Sequence, residues 1–114
     1  MARGHAPAMI YKFKSKATGD VIMLGPNGDQ LLRVLGREPS ATGILEVPDM
    51  AAARSAIARA VAEAEAAAEQ AREGAADDAD ERQRNAVGLR QRLWPMLQMI
   101  ERAQSGREPI VWGV

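Results

Sequence analysis

The chain contains no cysteine. Disulfides, thiolate nucleophiles and cysteine metal sites are therefore excluded, and this usage fits a cytoplasmic protein. Histidine occurs once, at His5. A zinc site needs several converging ligands, so this ring alone marks none. Nor can a serine–histidine or cysteine–histidine catalytic set form away from that residue. Aromatic residues are scarce, at 4%. No stretch is apolar and long enough to cross a membrane. The opening "MARGHAPAM" lacks the apolar segment of a secretory signal. There is no net charge either, since 15 basic residues balance 15 acidic ones.

What remains is 114 residues, 46% of them hydrophobic, with alanine dominating the middle. That length suits one domain with a real core. Alanine in quantity suggests close helix contacts rather than a bulky interior. The balanced charge is unevenly spread: +3 over residues 1–45, −7 over 46–81 and +4 over 82–114. Such blocks mark tails or nucleic-acid patches, or they match one another within the fold. Residues 1–8 read as an unstructured leader or start-site extension, with Met9 a candidate initiator, and residues 9–114 as a single α+β domain.

From Met9 the chain alternates. Met9, Tyr11 and Phe13 fall on one side of "MIYKFKSK", and Ile10, Lys12, Lys14 and Lys16 on the other. Period two predicts a strand with one buried face. "DVIML" (20–24) reads as a second, more buried strand, and Gly19 between them suits a hairpin turn. "GPNGDQLLRVLG" (25–36) turns the chain into a helix, with Asn27 as a possible cap and Asp29 at the positive end of the dipole. "GILEV" (43–47) predicts a third strand and "IVWGV" (110–114) a fourth.

The tetrapeptide "GREP" occurs twice, at Gly36–Pro39 and Gly106–Pro109. Both copies follow an apolar helical stripe and precede a strand. Glycine at the left-handed position past a helix stops it, and proline biases its predecessor towards extended geometry. The flanks do not match, so the repeat is a helix-stop signal rather than a duplicated domain.

Between these signals lies a long helical middle. Pro48 and Asp49 mark its start, and Met50 to Glu73 contains neither glycine nor proline. Met50, Ala53, Ile57, Ala60, Ala64, Ala67 and Ala71 predict a narrow alanine seam, which Gly74 ends. A polar connection over 75–83 leads to a third helix with Ala86, Leu89, Leu93, Met96, Ile100 and Ala103 in similar spacing. Gly88 suggests a close approach to that seam, and Pro95 predicts a kink or break near Leu93–Trp94. Glu63, Glu65, Glu69 and Glu73 would face Arg82, Arg84, Arg90 and Arg92 across an antiparallel hairpin.

Three groups are candidate binding elements. Gly25, Asn27, Gly28 and Asp29 form a glycine-containing turn before a helix, a place where backbone N–H groups can cradle a ligand. The lysine and hydroxyl of a nucleotide-binding P-loop are missing, and Asp29 would repel an anion, so a tight structural turn is the simpler reading. Lys12, Lys14 and Lys16 form a basic row able to meet phosphate, but Tyr11 and Phe13 point the other way and offer no stacking platform beside them. Trp94 is a candidate partner anchor, though core packing is the commoner use of tryptophan. Asp77, Asp78, Asp80 and Glu81 lack the spacing of a calcium loop. No catalytic residue, metal ligand or cofactor is assigned.

Two segments, "MIYKFKSKATGDVIMLGPNGDQLLRVLGREP" and "LRQRLWPMLQMIERAQSGREPIVWGV", resemble a bacterial family catalogued as domain of unknown function 1840. The resemblance implies a domain beginning at Met9 and a small, soluble, cytoplasmic bacterial protein. It carries over no activity and no catalytic residue.

The element order β-β-α-β-α-α-β predicts an α+β fold. Four strands form a small antiparallel or mixed sheet with helices on one face and a long antiparallel helical hairpin. The expected function is non-enzymatic: a protein-interaction or self-associating module acting through the hairpin or an uncovered sheet face, as a homo-oligomer or with another protein. The alternatives are nucleic-acid binding through the lysine row and small-ligand binding at residues 25–29. No membrane partner is expected.

Overall fold

A computed structural model describes residues 9–114; His5 and the expected leader lie outside them. The strands are β1 (Ile10–Lys14), β2 (Val21–Leu24), β3 (Gly43–Leu45) and β4 (Ile110–Trp112). The helices are α1 (Gly25–Val34), α2 (Met50–Glu73) and α3 (Ala79–Gly106), with a 3-10 turn at Val47–Asp49 leading into α2. The sheet is antiparallel throughout, in the order β2-β1-β4-β3. Chain-terminal strands β1 and β4 therefore sit side by side at its centre, while α1 carries the chain from one edge to the other.

Alternation holds within β1, while Met9, just before it, is exposed rather than inward. Tyr11 and Phe13 are buried, and Ile10 and Lys12 are exposed. Met23, Leu45, Ile110 and Trp112 join the two rings on the inner face. The tyrosine and phenylalanine rings stack with centroids 5.8 Å apart, and Trp112 meets Phe13 edge-on at 5.5 Å. The helices cover this face with Leu31 and Leu32 of α1, Met50, Ile57 and Val61 of α2, and Leu93, Met96 and Ile100 of α3.

The hairpin differs in detail from its expected seam. In α2 the buried line is Met50, Ala53, Ile57, Val61 and Ala68, while Ala60, Ala64, Ala67 and Ala71 are half-buried flanks. A straight helix drifts relative to a strict seven-residue repeat, and valine offers more apolar surface than its alanine neighbours. In α3 the proximal half buries Leu93, Met96, Leu97, Met99, Ile100 and Ala103, but the distal half fully buries only Ala86. The helix is unbroken at Pro95.

The opposed charge blocks meet less than their placement suggests. Arg90 Nη1 lies 3.5 Å from Glu65 Oε2 and joins the two helices. Arg82 instead pairs with Asp78 beside its own helix start, at 2.7 Å, and Glu69 pairs with Arg72 on α2. Near the sheet, Arg54 bridges to Glu101 at 3.2 Å and Gln104 at 2.9 Å. Long side chains on exposed surfaces take the nearest partner, and sequence-local partners are nearest.

Gly88 does not serve the α2 contact. A side chain there would meet Arg92 of the same helix, whose Nη1 lies 3.0 Å from the Cβ position. Arg92 in turn donates through Nε to Gln30 Oε1 at 3.3 Å, tying α3 to α1.

The two "GREP" copies stop helices by the same bonding pattern in different frames. After α1, Gly36 is left-handed at φ 79°, with Gly36 N–H on the Arg33 carbonyl and Arg37 N–H on the Leu32 carbonyl. After α3 the left-handed residue is Arg107, at φ 57°, and Gly106 remains helical. A Cβ on Gly106 would come within 2.7 Å of the Ala17 Cβ, so this glycine provides room for the β1–β2 turn. The end of α2 is shifted likewise: Ala75, not Gly74, takes the left-handed conformation at φ 53°.

Candidate functional site

The side of the sheet away from the helices is uncovered, and the strand register fixes what it displays. Ile10 stands opposite Leu24, Lys12 opposite Ile22, Lys14 opposite Val111, and Val111 opposite Ile44. Ile10, Ile22 and Leu24 thus form an apolar corner across the two strands nearest one edge. They are 56%, 61% and 64% exposed, large values for side chains of this size. Val111 and Ile44 form a smaller apolar patch towards the other edge. Between them lie Lys12 and Lys14 of β1, with Lys16 beyond the strand's end.

Lys12 and Lys16 are exposed and Lys14 is half-buried. Lys12 Nζ lies 3.8 Å from Asp20 Oδ2 across the hairpin, at the limit of an ion pair in solvent. Lys14, Lys16, Asp20, Glu108 and Val111 border a shallow depression of about 580 Å³ at the hairpin-turn end. Both signs of charge line it, so it has no clear preference for an anion. No aromatic ring shares the lysines' side, because Tyr11 and Phe13 are buried beneath the helices.

Trp94 lies on α3, in the opposite layer from the lysines, and the structure does not bring them together. The Arg90 guanidinium sits 4.5 Å from the ring centroid of the exposed Trp94, a cation–π contact within α3.

Residues 25–29 begin α1 rather than forming a free loop, and Asp29 lies past its first turn, not at the expected positive end. Pro26 occupies a starting position where its missing N–H costs nothing, and Asn27 makes no side-chain cap. Gly25 and Gly28 are buried. The Tyr11 ring fills the space where a Gly28 side chain would be. Its hydroxyl donates to Asp29 Oδ1. Burial, followed by this hydrogen bond, pushes the Tyr11 phenol up to about 12. The sequence that resembled a ligand cradle is thus occupied by the protein's own tyrosine. Asn27 borders a groove beside β2.

The acidic run at Asp77, Asp78, Asp80 and Glu81 does not converge. Among the described residues no three histidine, cysteine or carboxylate side chains could hold a metal ion. Among the same residues, no helix is long and apolar enough to cross a membrane.

Sequence reading missed Ile22, Leu24 and Ile44 as surface residues. "VIML" is apolar at every position, so it carries no alternation and reads as a strand buried on both faces. The available signal was indirect: β1 shows lysines on one side, and any strand paired with it shares that open side.

No curated protein matches the chain, and no solved structure does. Residues 9–112 match the family model described as a domain of unknown function, DUF1840, and the chain belongs to that family.

Proposed function

We propose that this domain is a non-enzymatic interaction module that self-associates through the corner of the sheet formed by β1 and β2. The observation that carries it is the exposure of Ile10, Ile22 and Leu24 together, side by side in register, on a face without a helix. Burying apolar area contributes about 25 cal/mol per Å², so three such side chains are a substantial driving force for association. The one-helix-layer architecture supports the same reading, since a sheet commonly needs only one face for its own core.

The test is light scattering on a sizing column from micromolar to several hundred micromolar. The expected result is a mass approaching twice 12.3 kDa as concentration rises. Ile22→Lys, at an exposed position, should leave the fold within about 0.5 kcal/mol of wild type and abolish the rise in mass. A strict monomer across the range would overturn the reading.

A further inference from the structure

The hydrogen-bonding groups along the outer edge of β2 can be assigned one by one. Met9 and Gly25 stand opposite each other in the β1–β2 register, and Gly25 N–H donates to the Met9 carbonyl at 2.8 Å. Bonded and non-bonded pairs alternate along an antiparallel ladder. Tyr11–Met23 and Phe13–Val21 are therefore bonded pairs, while Ile10–Leu24 and Lys12–Ile22 are not. The N–H groups of Ile22 and Leu24 and the carbonyl of Ile22 consequently point away from β1, off the end of the sheet. The Leu24 carbonyl sits at the cap of α1, where it takes the first helical bond. Among the described residues, no other backbone segment supplies a partner to the three outward groups.

This edge also lacks the usual protections. Val21–Leu24 contains no charge and no proline, and its register with β1 has no bulge. The opposite edge is blunter. β3 has three residues, and Arg37 Nη1 already donates to the Ile44 carbonyl at 2.7 Å. On the helix side of β2, a groove of about 280 Å³ bordered by Asn27, Gln91, Arg92 and Pro95 leaves room beside the strand.

We propose that β2 pairs antiparallel with β2 of a second copy across a two-fold axis, joining two four-stranded sheets into one of eight. This rests on the self-association proposed above and names its contact. Two arguments select a second copy in this geometry. The first is continuity: Ile22 and Leu24 meet their counterparts across the junction, and the two apolar corners fuse into one strip. The second is charge. Face-to-face packing would set two lysine rows about 10 Å apart. Edge pairing leaves the β1 rows three strand spacings apart, about 14 Å, beyond the screening length at physiological salt. The contact uses the same patch on both chains, so it closes at a dimer, and the blunted β3 edges stop further growth.

Leu24→Pro separates this contact from other modes of association. Leu24 has φ −61°, which a proline ring adopts unstrained, and its N–H points outward. The variant should fold like wild type by circular dichroism and melting, yet dimerise at least tenfold more weakly. Leu24→Ala, which keeps the N–H, should weaken association less. In wild type, amide exchange at Ile22 and Leu24 should slow as concentration rises. A wild-type dimer in which both amides exchange at unprotected rates overturns edge pairing while leaving self-association standing, and so does a Leu24→Pro chain that folds and dimerises normally. If Leu24→Pro fails to fold, the wild-type exchange measurement decides alone. A monomeric wild type overturns both.

Discussion

Single residues in this protein are constrained where one group must fit against another. Gly28 is needed because the Tyr11 ring occupies its side-chain space. Gly28→Ala should therefore cost about 1–3 kcal/mol in urea unfolding, the usual range for overpacking. Tyr11→Phe keeps the ring but leaves half-buried Asp29 without its donor, with an expected loss of about 1–3 kcal/mol. The same pair sets an alkaline limit. The phenol is raised from 10 to about 12 on folding, so the folded state holds this proton more tightly than the unfolded chain. Its contribution is complete below pH 10 and is lost between pH 10 and 12. Melting temperature followed across that window should fall more steeply for wild type than for Tyr11→Phe. The opposite case is Ala75, which takes a left-handed conformation where glycine would sit without strain. Ala75→Gly should stabilise by about 0.5–1 kcal/mol, measured by the same unfolding curves.

At the scale of elements, the hairpin has a strong base and a weak tip. Near the sheet, α2 and α3 bury Ile57, Val61, Leu93, Met96 and Ile100. Further out, full burial is confined to Ala68 and Ala86. Alanine contacts bury little area, so the tip should open locally at a fraction of the global unfolding free energy. Hydrogen exchange should show faster exchange over residues 66–86 than over residues 53–61 and 93–103. Uniform protection along both helices would contradict this. Gly88 gives a second test. An added methyl meets only the far end of the Arg92 side chain, which can move. Helix propensity should then prevail, and Gly88→Ala should stabilise by about 0.5–1 kcal/mol. A close α2–α3 approach at Gly88 would reverse that sign.

For the molecule as a whole, the decisive feature is that the first and last strands are neighbours. β4 is the partner of both β1 and β3, and it contributes buried Ile110 and Trp112. The Trp112 indole N–H also donates to the Ser40 carbonyl at 3.0 Å, fastening the loop before β3. Deleting residues 107–114 should therefore abolish cooperative unfolding, although the segment is short and terminal. Circular dichroism should retain helical signal from the hairpin without a sharp melt. The same strand order leaves β2 at an edge, which is why the lysine row ends up one strand inside the proposed contact.

Much of this was legible from local patterns. Alternation over Tyr11 and Phe13, the glycine-free run from Met50 to Glu73 and the apolar stripes each report a single element, and the physics of one element is written in its own residues. The glycine stops told where helices end, but not which residue turns left-handed. At the end of α3 the shift goes with Ala17 approaching Gly106, a contact across some 90 positions of sequence. The exposed corner was likewise out of reach, because "VIML" looks the same whichever face is buried and only its register with β1 chooses. Local sequence determined the elements and their order, and most of their limits to within a residue or two. Tertiary structure decided the strand order, the open side and the role of Gly28, because each of these depends on which distant group occupies the neighbouring space.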